Sequence, residues 1–207
     1  MPDVHIRPLT PDTWPDFAAL VERHGGVWGG CWCLAFHAEG ASPGPHRQEQ
    51  KACRVRAGTA HAALVYHQAQ CVGWAQYGPP DELPRIKHRR AYEQGQPAGQ
   101  APPDWRITCL FVDKAWRGQG VSLAAVQGAL ALIAAAGGGR VESYPQDTAG
   151  TRTSPGFLHN GTVAVFEAAG FVRERAIGQH HWVVRRDVAP ENGPVDPADF
   201  GPQDRGR

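Results

Sequence analysis

The chain has 207 residues, 42% hydrophobic and 20% charged, with a formal net charge of +1. That length suits one domain with a sizeable core, and so even a charge balance gives no global electrostatic case for nucleic acid or a membrane surface. No apolar run approaches the ~18 residues of a spanning helix, and the opening MPDVHIRPLTPD lacks the apolar core of a signal peptide, so a cytoplasmic protein with neither nucleic-acid nor membrane partners is expected.

The five cysteines, Cys31, Cys33, Cys53, Cys71 and Cys109, are odd in number and irregularly spaced, which argues against a disulfide framework. Cys31-Trp-Cys33 with His37 invites a zinc reading. Structural zinc sites usually carry Cys-x2–4-Cys matched by a second pair, and no such pair follows, so packed reduced thiols and no metal are expected.

In chain order, residues 4–9 alternate as a first strand. Thr13 is a plausible N-cap for a helix over 14–24, with Phe17, Leu20 and Val21 at helical spacing. A glycine-rich stretch, 25–30, leads into Cys31-Trp-Cys-Leu-Ala-Phe36, and Trp28, Trp32 and Phe36 read as core or as a wall of an acceptor cavity. The polar run 46–56 predicts a surface helix. Residues 62–66 and 71–77 predict a hairpin turning at 68–70 without the usual glycine. The basic stretch 83–93 predicts a helix, and 94–103 a Pro/Gly/Gln loop.

A strand–helix–strand unit follows over 105–112, 121–136 and 140–144, its helix ended by Gly137-Gly-Gly139. Such a crossover makes its two strands parallel neighbours. After a loop over 145–161 come a short helix, 162–169, stopped by Gly170, and closing strands 171–177 and 181–188. The composition from 189 to 207 cannot bury enough apolar surface to offset chain ordering, so a disordered tail follows a domain over 1–188.

The most informative run is Val112-Asp-Lys-Ala-Trp-Arg117-Gly118-Gln119-Gly120-Val121-Ser122. Glycines at a strand-to-helix turn let bare N–H groups approach a ligand. The helix beyond them starts with unpaired N–H groups and a partial positive charge, which suits phosphate or pyrophosphate. Arg117 can add a full charge and a fork of donors. The P-loop ending Gly-Lys-Ser/Thr is absent, and Leu123 breaks the dinucleotide fingerprint.

With these residues the chain resembles the GNAT superfamily of acyl-CoA N-acyltransferases. Arg117, Gly120 and Ser122 match its Arg/Gln-x-x-Gly-x-Gly/Ala signature, with serine where glycine or alanine is usual. Residues 163–171 resemble the later helix that ends in Gly-Phe. Cys31-Trp-Cys33, the helix from His46, Val72-Gly73-Trp74 and Glu142-Ser-Tyr144-Pro145 are similar to a bacterial GNAT subgroup of unassigned substrate.

The resemblance implies a mixed α/β fold with a splayed parallel strand pair and acetyl-CoA as cosubstrate. Its pyrophosphate would lie on Arg117, Gly118, Gln119, Gly120, Val121 and Ser122, and its pantetheine along Leu110, Phe111 and Val112. An N–H near Leu110 would polarise the thioester carbonyl. The implied reaction is direct acetyl transfer in a ternary complex to a primary amine of a small molecule, and a homodimer is compatible with it. The alternatives are an acyl-CoA-binding protein without turnover, or an acetyltransferase acting on protein lysines or N-termini.

A typical alkylammonium, with pKa near ~10, must lose a proton before attack, and the departing thiolate benefits from an acid. The family often places that acid, a tyrosine, four residues before the Gly of Gly-Phe, where this chain has Phe166. Tyr144 is the preferred substitute, His159 a second candidate for acid or base, and Glu142 a candidate base sharing the face of Tyr144. Cys71 and Cys109 are weaker nucleophile candidates, and His180-His181 reads as edge-strand surface.

Overall fold

A computed structural model describes residues 3–27, 29–42, 44–149, 153–154 and 158–191. Among these residues seven strands form one mixed sheet: β1 (His5–Pro8), β2 (His61–His67), β3 (Gln70–Gly78), β4 (Trp105–Val112), β5 (Gly139–Ser143), β6 (Val172–Ile177) and β7 (His181–Val188). Their order is β1-β2-β3-β4-β5-β7-β6. Only β4 and β5 are parallel among the named pairs. The closing hairpin therefore enters the sheet with β7 beside β5 and leaves β6 at the edge.

The helices are α1 (Trp14–Arg23), α2 (Arg47–Arg56), α3 (Arg89–Gln94), α4 (Val121–Ala135) and α5 (Val163–Ala168). Helix α4 covers one face, where Val121, Ala125, Val126 and Ile133 pack with Ile6, Val65, Ala75, Ile107 and Leu110. Its small residues let it lie close: a Cβ at Gly128 would come within 2.8 Å of Ile6. On the opposite face α1 lays Phe17, Leu20 and Val21 against Trp74, Cys109 and Phe111. The two-residue β2–β3 turn forms without glycine because Gln68 itself adopts a left-handed conformation, φ 52°.

Three expectations are corrected. The helix predicted over 83–93 begins only at Arg89. Pro84 disfavours helical backbone at Leu83, and the segment is tied down instead: Arg85 N–H donates to Phe36 O at 3.1 Å, and Arg106 Nη1 to Leu83 O at 2.7 Å. Helix α2 is not wholly a surface helix, since Lys51 is 1% exposed. Lys51 Nζ donates to His37 Nε2 at 3.1 Å, and Gln76 Nε2 donates to the same nitrogen at 2.7 Å. With both donors on Nε2, the His37 proton sits on Nδ1, which donates to Glu82 O at 3.1 Å. Burial, with the Lys51 and Arg54 charges, pushes the His37 imidazole down to about 2. His181 is also no surface residue, at 8% exposure. Trp28 and residues 192–207 of the expected tail lie outside the described residues.

The feature that positions the site is where β4 and β5 part. Their ladder holds only Trp105↔Val141, Arg106↔Glu142 and Ile107↔Ser143. Beyond it β4 carries a register irregularity against β3 at Thr108, and such bulges bend and twist a strand. On the other side, Pro145 has no N–H to continue a ladder. Residues 158–162 wedge into the opening. Leu110 N–H donates to His159 O at 2.7 Å and Gln146 N–H to Gly161 O at 3.1 Å. Asn160 Nδ2 donates to Thr108 O at 2.9 Å.

Candidate active site

Beyond β4 the chain turns on Asp113, whose carboxylate accepts from Ala115 N–H at 3.1 Å and from Arg23 Nη2 at 3.1 Å, with His24 Nε2 at 3.4 Å. Burial raises the Asp113 pKa, but the Ala115 N–H and the Arg23 and His24 contacts outweigh it and hold the carboxyl below its usual value of 3.8. A depressed folded-state pKa contributes stability above the unfolded value that is lost as pH falls through the folded one. Asp113→Asn is therefore expected to flatten the acid limb of a pH–stability curve below about 4, measured by chemical denaturation.

A 3-10 turn (Lys114–Trp116) then leads to Arg117, Gly118 and Gly120. Both glycines are left-handed, Gly118 at φ 73° and Gly120 at φ 86°. Gly120 is the N-cap of α4. Side chains disfavour that conformation, and glycine there turns the first N–H groups of α4 outward. Among the described residues nothing stands within 4 Å of a Cβ position on Gly118, so the approach is open.

A cavity of about 420 Å³ lies against this turn. It is lined by Leu110, Phe111 and Val112 from β4, by Trp116, Arg117, Gly118, Gly120, Val121 and Ser122 from the turn and α4, and by Leu158, Gly161, Thr162 and Val165 across the splay. Of the residues expected to hold the cosubstrate, only Gln119 is missing from this lining; its side chain donates back to Ala115 O at 2.9 Å. Another surface depression, about 690 Å³, lies at the far end of β5 near Arg140, Arg173 and Arg185. Its arginines already have Asp187, Asp147 and Glu174 beside them.

The catalytic candidates lie apart from the cavity lining. Tyr144 and Glu142 share one sheet face and are fully buried. Glu142 Oε2 accepts from Tyr92 Oη at 2.8 Å and from Tyr144 Oη at 3.3 Å, while Oε1 has no hydrogen-bond partner among the described residues. Burial raises the Tyr144 hydroxyl well above 10, so it stays protonated. His159 stands in the wedge between Leu158 and Gly161, both cavity residues, and its ring lies 6.1 Å from Phe36 on the sheet face away from α4. It is the candidate that spans the two sides. Phe36 belongs to the core cluster, against which the half-buried Trp32 packs.

A model of the acetyltransferase (GNAT) family matches residues 28–152, more than half of the chain. The chain belongs to the GNAT family. Solved GNAT-like structures share its fold at low identity. A GNAT-family protein from Desulfovibrio desulfuricans is 19% identical with TM-score 0.51, over 90% of this chain and 99% of that one. A mosquito arylalkylamine N-acetyltransferase like 5b is 13% identical with TM-score 0.56, over 89% and 100%. A GNAT acetyltransferase from Streptococcus pneumoniae is 13% identical with TM-score 0.50, over 90% and 99%. No curated protein matches the sequence significantly.

GNAT enzymes are acetyltransferases that use acetyl-CoA, and this chain's cavity suits a phosphate-bearing thioester: a glycine turn and helix start at one end, and the splayed β4 edge at the other. Two details bear on its chemistry. Phe166, at the family's tyrosine position, is fully buried and packs edge-on against Phe171 at 5.1 Å, so it is a core residue with no proton to give. Leu110 N–H, expected to meet the thioester carbonyl, already donates to His159 O. A buried N–H needs an acceptor, and a thioester could use this one only by displacing that carbonyl.

Sequence reasoning missed Asn160 and the Cys33–Lys51 neighbourhood. Asn160 is 1% exposed and pins the wedge to the β4 bulge; its place two residues before the N-cap Thr162 was the available signal. Burial pushes the Cys33 thiol up, but Cys109, the Lys51 ammonium and Trp74 outweigh it and lower it. The weaker nucleophile candidates go the other way: Cys71 is pushed up to about 12 by burial, and Cys109 is raised by its contact with Cys33 and by burial. Among the described residues no group of three or more His, Cys, Asp or Glu is arranged to hold a metal, and no helix is long and apolar enough to cross a membrane.

Proposed function

We propose that this protein transfers the acetyl group of acetyl-CoA directly to a primary amine of a small molecule in a ternary complex. The observation that carries the reading is the continuity of the cavity: its lining runs from the left-handed Gly118 and Gly120, along Leu110, Phe111 and Val112, to the wedge that holds His159. In this reading the N–H groups of residues 118–122 take the diphosphate and Arg117 adds charge. The pantetheine follows the β4 edge that β5 has left. The amine meets the thioester beside His159, and orientation of the two reactants supplies much of the acceleration.

His159 is the leading acid–base candidate, because Tyr144 directs its hydroxyl to Glu142. In a panel of amines with thiol detection, turnover above thioester hydrolysis supports the reading. His159→Ala is expected to lower kcat by roughly 10²–10⁴ while acetyl-CoA still raises Tm. Tyr144→Phe is expected to cost less than about tenfold, since one hydroxyl remains on the Glu142 carboxylate. A larger loss in Tyr144→Phe than in His159→Ala would reverse the assignment.

Phe166 and the engaged Leu110 N–H favour a second reading, an acyl-CoA-binding protein without turnover. Thiol release at background across the panel, with acetyl-CoA protection intact, would establish it.

A further inference from the structure

The acceptor side of the sheet gathers more basic groups than an amine acceptor would by itself call for. Alternation along β7 sends Trp182 and Val184 to the α4 face, where both pack. Val183 goes to the opposite face with Tyr144 and Tyr92, and His181 goes with it. His181 is 8% exposed, and neither ring nitrogen has a hydrogen-bond partner among the described residues. The His88 ring lies 4.9 Å away, on a residue in the left-handed region at φ 53° and set against the Gly178 turn.

Lys87, the neighbour of His88, is half-buried. Burial lowers its ammonium below the usual 10.5, and it has no ion pair among the described residues. Burial first, and then the basic groups Lys87, His88, His159 and His180, push the His181 imidazole down to about 4, so it meets a ligand as a neutral hydrogen-bonding group. The carboxylate on the same face, Glu142, is turned to Tyr92 and Tyr144. The wedge links this cluster to the cavity, because Gln146 bridges both Thr162 and His181.

A half-buried cation and a buried imidazole with both nitrogens unmet are costly unless something acidic or hydrogen-bonding comes to them. We infer that the acceptor amine also carries an anionic group, a carboxylate or a phosphate, which seats among Lys87, His88 and His181 while the amine faces His159. This deepens the proposed acetyltransferase reading and rests on it. The amine nitrogen forms the C–N bond as the C–S bond breaks, and the proton the amine gives up balances the thiolate, which leaves as CoA thiol. The anion takes no part in the bond changes; it sets which amine is held.

The test uses the full chain and pairs of amines that differ only in charge: an amino acid against its carboxamide, and a phosphorylated amino alcohol against the free alcohol. The anionic member of at least one pair is expected to show kcat/KM higher by about tenfold or more, and which pair discriminates names the anion. Lys87→Ala is expected to erase that ratio while leaving the neutral member and acetyl-CoA protection unchanged. A binding arm needs no turnover: with CoA present, the N-acetylated acid should raise Tm more than its N-acetylated amide. If neither pair discriminates in turnover or in binding, or the neutral members are favoured, the inference is overturned. If neither turns over but the acid alone protects, the anion site stands and the transferase reading falls.

Discussion

Replacing Gly120 with valine is expected to abolish protection by acetyl-CoA and to stop acetyl transfer while the protein stays folded. Gly120 caps α4 at φ 86°, a conformation that costs an L-residue roughly 1–2 kcal/mol and a β-branched one more. The turn can relieve that strain only by rotating the N–H groups of residues 118–122 away from the cavity. A misplacement of about 1 Å in a positioned site can cost about 10²-fold. The unliganded variant should melt only a few degrees lower, at roughly 2–4 °C per kcal/mol for a chain of this size. The shift that acetyl-CoA gives the parent, about 2.7 kcal/mol when the ligand is at 100 times Kd, should vanish. A variant that kept the full shift would place the diphosphate elsewhere.

Trp74→Ala is expected to be the most destabilising single substitution in the core, at about 3–5 kcal/mol. Trp74 is fully buried, lies 4.6 Å from Phe111 in a stacked pair and 4.8 Å from Phe17 of α1. Truncation would leave a cavity between β3, β4 and α1 that these rings cannot fill without moving. Phe111 also lines the cavity proposed to hold acetyl-CoA, so its shift should weaken acetyl-CoA binding as well as the fold. Urea denaturation would read the first effect and calorimetric titration the second. Trp74→Phe should lose less of both. An equally large loss of stability with no change in affinity would separate the core from the cavity floor.

Where local pattern alone decides an element, the sequence was a good guide. The bounds of β4 and β7 agree with expectation to the residue, and α4 ends one residue early. An unbroken apolar run, or one stopped by glycines, leaves few alternatives. Side-chain placement across elements was harder to read. Lys51 sits in a polar run that looks solvated, yet it donates to His37 and to the Cys33 carbonyl, and His37 is held in turn by Gln76 of β3. His181 looks like an edge residue because the sequence cannot show that β7 inserts between β5 and β6. The wedge over 158–162 has no strand pattern of its own, since its strand-like bonds to Leu110 and Gln146 are made with segments distant in sequence. The cavity proposed for the cosubstrate is lined mostly by one continuous run, residues 110–123, which a sequence motif can record. The proposed acceptor side draws on β5, β7, α3 and the wedge, and no short motif records that convergence.

The central claim is that the amides of residues 118–122 hold the diphosphate of CoA. Amide-resolved NMR during a titration with CoA tests it directly. The account predicts saturable shifts at Gly118, Gly120, Val121 and Ser122 that are larger than those on β1 or β6. Binding that left these amides unmoved while shifting others, or no binding at millimolar CoA, would contradict it.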